Sequence, residues 1–148
     1  MREPEFRKPK IRGTSVIEFT LMLPWYIFLF VGVFDYGIYC CSLIAAENAA
    51  RVGATYCSTN STDATDSTTA CTYALDQLRN LPNVGSGVVA CNGSPITVTA
   101  SLVRGPDNVA NDASTVTVTY TTPQMVPIPG LFPGQLTINR SVTMRLRG

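Results

Sequence analysis

Residues 12–53 read RGTSVIEFTLMLPWYIFLFVGVFDYGIYCCSLIAAENAARVG, and the rest of the chain is organised around this stretch. A basic segment closes at Gly13, Glu18 stands at the lip of an apolar run, and the run grades into a helix rich in small residues. From Phe19 to Phe34 there are 16 residues without a charge, and after Asp35 another 11 pass before Glu47. A hydrocarbon core of roughly 30 Å takes about 20 helical residues, and Phe19 to Ile38 supplies that length. Asp35 then falls near the outer interface, where a charge is tolerable. Pro24 removes one helical hydrogen bond, which a membrane helix accommodates because the freed carbonyl finds another partner. Trp25 and Tyr26 lie close to the inner interface, and Tyr36 and Tyr39 mark the outer one.

The charge distribution gives this span a direction. The 148 residues carry a net charge of +1, but the first 13 hold five basic side chains (Arg2, Arg7, Lys8, Lys10, Arg12) against Glu3 and Glu5. Residues 14–46 contain only Glu18 and Asp35, and residues 47–148 balance six charges against six. Lysine and arginine stay on the cytoplasmic side, so the N-terminus is expected inside and the chain beyond about Tyr39 outside. No basic stripe exists beyond residue 13, which argues against nucleic acid as a partner. Two ordinary readings fit the same polarity. A secretory signal peptide needs a small-x-small cleavage site, and the candidates near Ala45 and Ala46 have Leu43 or Ile44 in the way. A plain, unprocessed single-span anchor shows the same basic flank and span length.

Glu18 favours a third reading, because an ionisable side chain at the edge of a span is costly unless paired. Gly13, four residues, Glu18, Phe19, then Leu21, Leu23 and Pro24 resemble a class III (prepilin-type) leader. More closely, GTSVIEFTLMLP followed by FDYG and AAENAARVGA resembles the N-terminal signature of the TadE-like pseudopilins of the tight-adherence (Flp pilus) machinery. RSVTMRLRG at the C-terminus is weakly similar to that family's closing strand. The resemblance implies a minor pilin or pseudopilin that a prepilin peptidase cuts between Gly13 and Thr14. It also implies a single-pass protein of the bacterial inner membrane, with the C-terminal domain periplasmic or extracellular. Other pilins, pseudopilins and the pilus assembly platform are then its partners, alongside membrane lipid. Under this reading Glu18 pairs with the free amine of a neighbouring subunit and sets helix register, since opposite charges attract strongly in a low-dielectric layer. Thr14 departs from the aromatic first residue of conventional type IV pilins.

Past the span, Ala45, Ala46, Ala49, Ala50, Gly53 and Ala54 recur at helical spacing, and Glu47 with Arg51 is a favourable i,i+4 pair. Small residues let another backbone approach closely. Ala46, Ala50 and Gly53, with Pro24 further in, are therefore helix-packing candidates, either against the protein's own sheet or against other subunits. The helix is expected to end near Cys57. The Ser/Thr-rich segment 58–72 follows, and Asp63 or Asp66 caps a second helix over about 65–80. Three asparagines sit in glycosylation sequons (Asn60, Asn92, Asn139), most simply by chance in a chain this rich in Ser and Thr.

The last third alternates with period two. ITVTASLV (96–103), STVTVTYTT (114–122) and LTINRSVTMRLR (136–147) each place apolar residues on one face. The fold expected is α+β and pilin-like. It has a transmembrane helix over about 14–57 and a three-stranded antiparallel sheet over about 95–104, 114–122 and 136–147. Arg140 interrupts the third apolar face, so a bulge or an arginine reaching the sheet edge is expected there. The domain division is a basic leader (1–13), the extended helix (14–56) and a small exported domain (57–148). A domain this small often needs a staple, and exported cysteines can supply one. Cys71–Cys91 is favoured, with Cys57 able to replace either. The loop PQMVPIPGLFPG (123–134) holds Met125, Val126, Ile128, Leu131 and Phe132 between four prolines. It either folds over the sheet edge or presents Met125, Ile128, Leu131 and Phe132 to a partner.

Chemistry is hard to build from these residues. With no histidine in the chain, a Ser-His or Cys-His nucleophilic pair is excluded. The cysteine spacings form no paired CxxC, so a zinc site is improbable. No phosphate loop or dinucleotide fingerprint occurs, and neither a cofactor nor a small-molecule substrate is expected. Two classes of function remain: a filament-associated structural subunit, or an unprocessed membrane-anchored binding module with an exported interaction domain.

Overall fold

The computed structural model describes residues 14–104, 112–127, 130 and 134–147. Helix α1 runs from Thr14 to Cys57 with Pro24 inside it, and α2 from Ser67 to Leu78. The strands are β1 (Asn92–Gly93), β2 (Ile96–Val103), β3 (Ala113–Thr121) and β4 (Thr137–Arg145). They form one antiparallel sheet in the order β1-β2-β3-β4. The chain divides into two units, one ending at Phe34 and the other running from Asp35 to Gly148.

In the first unit the described residues are helical. Every side chain from Ser15 to Phe30 is exposed, aromatic and aliphatic ones included. Trp25 stacks against Phe28 with ring centroids 6.1 Å apart. Thr20 Oγ1 donates to the Val16 carbonyl at 2.8 Å.

The second unit owes its shape to small residues on a helix and β-branched residues on strands. Ala46, Ala49, Ala50, Ala54 and Cys57 of α1 are fully buried. They share one core with Ala70, Ala74, Leu75 and Leu78 of α2 and with Ile96, Val98, Val116, Val118, Tyr120 and Ile138 of the sheet. Each large apolar side chain buried this way contributes roughly 1.5–3 kcal/mol, while the alanines act by letting the layers close. Gly53 marks the tightest approach: a Cβ there would lie 3.1 Å from Val116 Cγ1.

Helix α2 starts where Asp66 accepts from the backbone N–H of Thr68 and Thr69, both at 3.1 Å. Asp63 lies instead in a single 3₁₀ turn, Asp63–Thr65, and its Oδ2 accepts from Asn60 Nδ2. The opposite face of the sheet carries Thr97, Thr99, Ser101, Thr115, Thr117 and Thr119, the outward half of the alternation.

One expectation needs correction, and of the two alternatives at Arg140 the structure takes the arginine at the sheet edge. The sheet has four strands, not three. The extra one, β1, pairs Asn92 with Thr97 and Gly93 with Ile96, and two residues are too few to show a period. No bulge forms at Arg140 either, because the β3–β4 register runs unbroken from Ala113↔Arg145 to Thr121↔Thr137. β4 is an edge strand, and Arg140 escapes the core by turning to Glu47, 4.0 Å away.

Candidate functional site

The features with functional potential lie along α1. Gly13 falls outside the described residues, and Thr14 lies in α1. Glu18 and Pro24 are both exposed. Among the described residues one helix is long and apolar enough to cross a membrane, and it is this one. The twenty residues 15–34 span about 30 Å at a rise of 1.5 Å each, the thickness of a bilayer's hydrocarbon core. Along that length the helix offers Glu18 as its only charge.

At Asp35 the character of the helix changes. Only 5% of this residue is exposed, and its Oδ2 is buried without a hydrogen-bond partner. The sequence reading sets this residue near the outer interface; in the structure its side chain is enclosed. The other buried polar side chains are satisfied. Ser42 Oγ donates to the Ile38 carbonyl, Ser58 Oγ to that of Thr55 and Ser114 Oγ to that of Ala64. Thr122 Oγ1 accepts from the Leu136 N–H. A buried polar atom without a hydrogen bond is costly, so Asp35 Oδ2 stands out among the described residues as a buried oxygen left without a partner. The sequence held one signal for it: Asp35 is the only charge between Glu18 and Glu47.

Further out, Ala46, Ala50 and Gly53 are buried in the protein's own core. Glu47 joins Arg51 at 3.5 Å and Arg140 at 4.0 Å, linking the helix to β4. These groups remain substantially solvent-exposed, which leaves such pairs worth little. A second polar contact, missed in the sequence, closes the core from the side: the Tyr120 hydroxyl donates to Asn83 Oδ1 at 2.5 Å, and Asn83 Nδ2 donates to the Thr121 carbonyl at 2.8 Å. Burial pushes the Tyr120 phenol above its ordinary pKa.

Cys71 and Cys91 form a disulfide with Cα atoms 5.7 Å apart, and Cys57 is a buried free thiol. A small cleft of about 220 Å³ beside the disulfide is lined by Ser67, Thr68, Thr72, Val89 and Asn92. No ionisable side chain lines it, the two cysteines at its wall being bonded to each other. Among the described residues no group of three His, Cys, Asp or Glu could hold a metal ion. Met125 is buried, with its N–H bonded to the Gly134 carbonyl at 2.6 Å, so it is no part of an exposed partner surface. Ile128, Leu131 and Phe132 lie outside the described residues.

Comparison with known proteins bears on this same helix. Residues 13–55 match the family model described as TadE-like protein. No curated protein and no solved structure matches the chain. The match begins at Gly13 and ends two residues before the last residue of α1. Match and apolar helix together fit a membrane protein related to the Tad pilus. The helix that carries Glu18, Pro24, Asp35 and the alanine face is the segment that matches the TadE-like family model.

Proposed function

We propose that this protein is a TadE-like minor pilin or pseudopilin, a structural or assembly subunit of the Flp-type tight-adherence machinery. It is held in the inner membrane by α1 with the N-terminus cytoplasmic. A prepilin peptidase removes residues 1–13, leaving Thr14 as the mature terminus. The observation that carries the reading is an overlap: the family match, residues 13–55, falls on the helix that is long and apolar enough to cross a membrane. A leader whose cut lies on the cytoplasmic side of a retained span leaves the anchor on the mature chain, and the basic side chains of residues 1–13 keep that side in the cytoplasm.

In the mature chain Glu18 is the fifth residue. An exposed carboxylate entering an apolar layer is costly unless it meets a cation, and the nearest new cation is the Thr14 α-amine of another subunit. That pairing supplies register, and the exposed apolar surface of residues 15–34 supplies area for neighbouring helices and lipid. The Asp35–Gly148 unit is the part displayed outside, where its disulfide is stable.

Mass spectrometry of the mature N-terminus tests the proposal. A peptidase-positive host should yield a chain beginning at Thr14, and Gly13→Leu should leave the full-length chain. A wild-type protein that keeps Met1 in such a host would refute the processing step and favour an unprocessed anchor.

A further inference from the structure

We propose that the cleft beside the Cys71–Cys91 disulfide binds one neutral sugar ring. The site lies wholly within the Asp35–Gly148 unit and does not depend on processing at Gly13 or on a membrane span. Its walls come from separate stretches of chain: Ser67 and Thr68 from the first turn of α2, Val89 from the segment ahead of β1, Asn92 from β1 and Val98 from β2. The disulfide ties the α2 wall to the β1 wall, so the cleft is held in shape before a ligand arrives, which lowers the ordering cost of binding. Its volume of about 220 Å³ is below the roughly 300–1,000 Å³ of sites for drug-sized molecules. That is room for one ring rather than for a longer chain.

The lining selects the chemistry of the ligand. With no ionisable side chain in the walls, a charged ligand finds no counter-charge there. The N-terminus of α2 offers no anion site either, because Asp66 already accepts from the N–H groups of Thr68 and Thr69. What remains is uncharged hydrogen-bonding capacity. The Asn92 amide and the Thr68 hydroxyl line the cleft and make no hydrogen bond among the described residues. Ser67 Oγ accepts from the Ala100 N–H at 2.9 Å and keeps its own proton to donate. An amide supplies two donors and an acceptor, and a hydroxyl supplies both kinds. Adjacent hydroxyls on a sugar ring, each also donor and acceptor, match that mixed set, whereas a purely apolar ring would leave it unpaired. Val89, 86% exposed, and Val98 add apolar surface for the C–H face of the ring.

Saturation-transfer NMR on the full-length protein, in a detergent without a sugar headgroup, tests this. The probes are the methyl glycosides of glucose, galactose, mannose and N-acetylglucosamine, with cyclohexanol as an apolar ring of similar size. At least one glycoside should bind with a Kd of about 1 mM, which a ligand of about a dozen heavy atoms reaches at ordinary efficiency. Cyclohexanol should bind more weakly. Asn92→Leu and, separately, Thr68→Val should each weaken the glycoside about tenfold, the worth of one good hydrogen bond. Thr117→Val, on the opposite face of the sheet, should change nothing. The proposal is overturned if none of the four glycosides binds at about twenty times that concentration. It is equally overturned if cyclohexanol binds as well as they do, or if binding survives both cleft substitutions. The wild-type comparison of glycosides with cyclohexanol decides even where a variant fails to fold.

Discussion

Removing the Cys71–Cys91 bridge should destabilise the Asp35–Gly148 unit more than any single surface change. The two cysteines are 20 positions apart. Closing a loop of that length in the unfolded chain removes conformational entropy equivalent to about 3 kcal/mol at 25 °C. Both cysteines are buried, so replacing them with alanine also removes some packing, and reduction of the wild-type bridge isolates the entropic part. For a domain of this size the loss corresponds to a fall in melting temperature of about 10–20 °C. The double variant Cys71→Ala/Cys91→Ala is the right perturbation, because a single substitution leaves a reactive thiol behind. Unfolding should be followed in detergent by the near-ultraviolet circular dichroism of the tyrosines. The single tryptophan, Trp25, lies in the apolar run and does not report on the sheet. Wild-type protein treated with reductant should reproduce the loss. A change under about 1 kcal/mol would refute the loop-entropy argument and show that the core alone holds α2 against the strand region.

Three further outcomes are expected. Gly53→Leu should cost roughly 1–3 kcal/mol by overpacking, since even a Cβ would sit 3.1 Å from Val116 Cγ1; an unchanged urea midpoint would show that this contact yields freely. Asp66→Ala should lower the melting temperature at neutral pH by uncapping α2. The Thr69 hydroxyl first, then the Thr69 and Thr68 backbone N–H groups, hold the Asp66 carboxyl below its ordinary pKa. The wild-type advantage is therefore complete above about pH 4, the ordinary carboxylate value, and fades as the pH falls through the lowered folded value; an advantage that instead grew in acid would contradict the cap. Cys57, fully buried, should react with maleimide only on unfolding, so fast labelling of that residue in native protein would contradict the packing of the α1 C-terminus.

The sequence by itself determined the periodic features. Sixteen uncharged residues, a basic flank and alanines at three- and four-residue spacing specify a long helix whatever surrounds it, because helix formation and membrane partition are local and additive. The strands around Val98, Val118 and Ile138 were legible for the same reason, since a side-chain period of two puts threonine out and valine in. The Gly13–Glu18–Pro24 pattern likewise pointed to the TadE-like family before any coordinates.

Only the tertiary structure decided the rest. β1 is two residues long and exists because β2 is there to pair with it. Arg140 keeps a regular strand because Glu47, distant in sequence, lies within reach. The alanine face of α1 could have met another subunit or its own sheet, and the position of Val116 against Gly53 chose the sheet. Asp35 is the clearest case. Its charge and its place in the apolar run were plain from the sequence, but burial depends on neighbours that no local pattern encodes. A residue that reads as a tolerable interfacial charge becomes, once folded, an enclosed carboxylate oxygen without a partner.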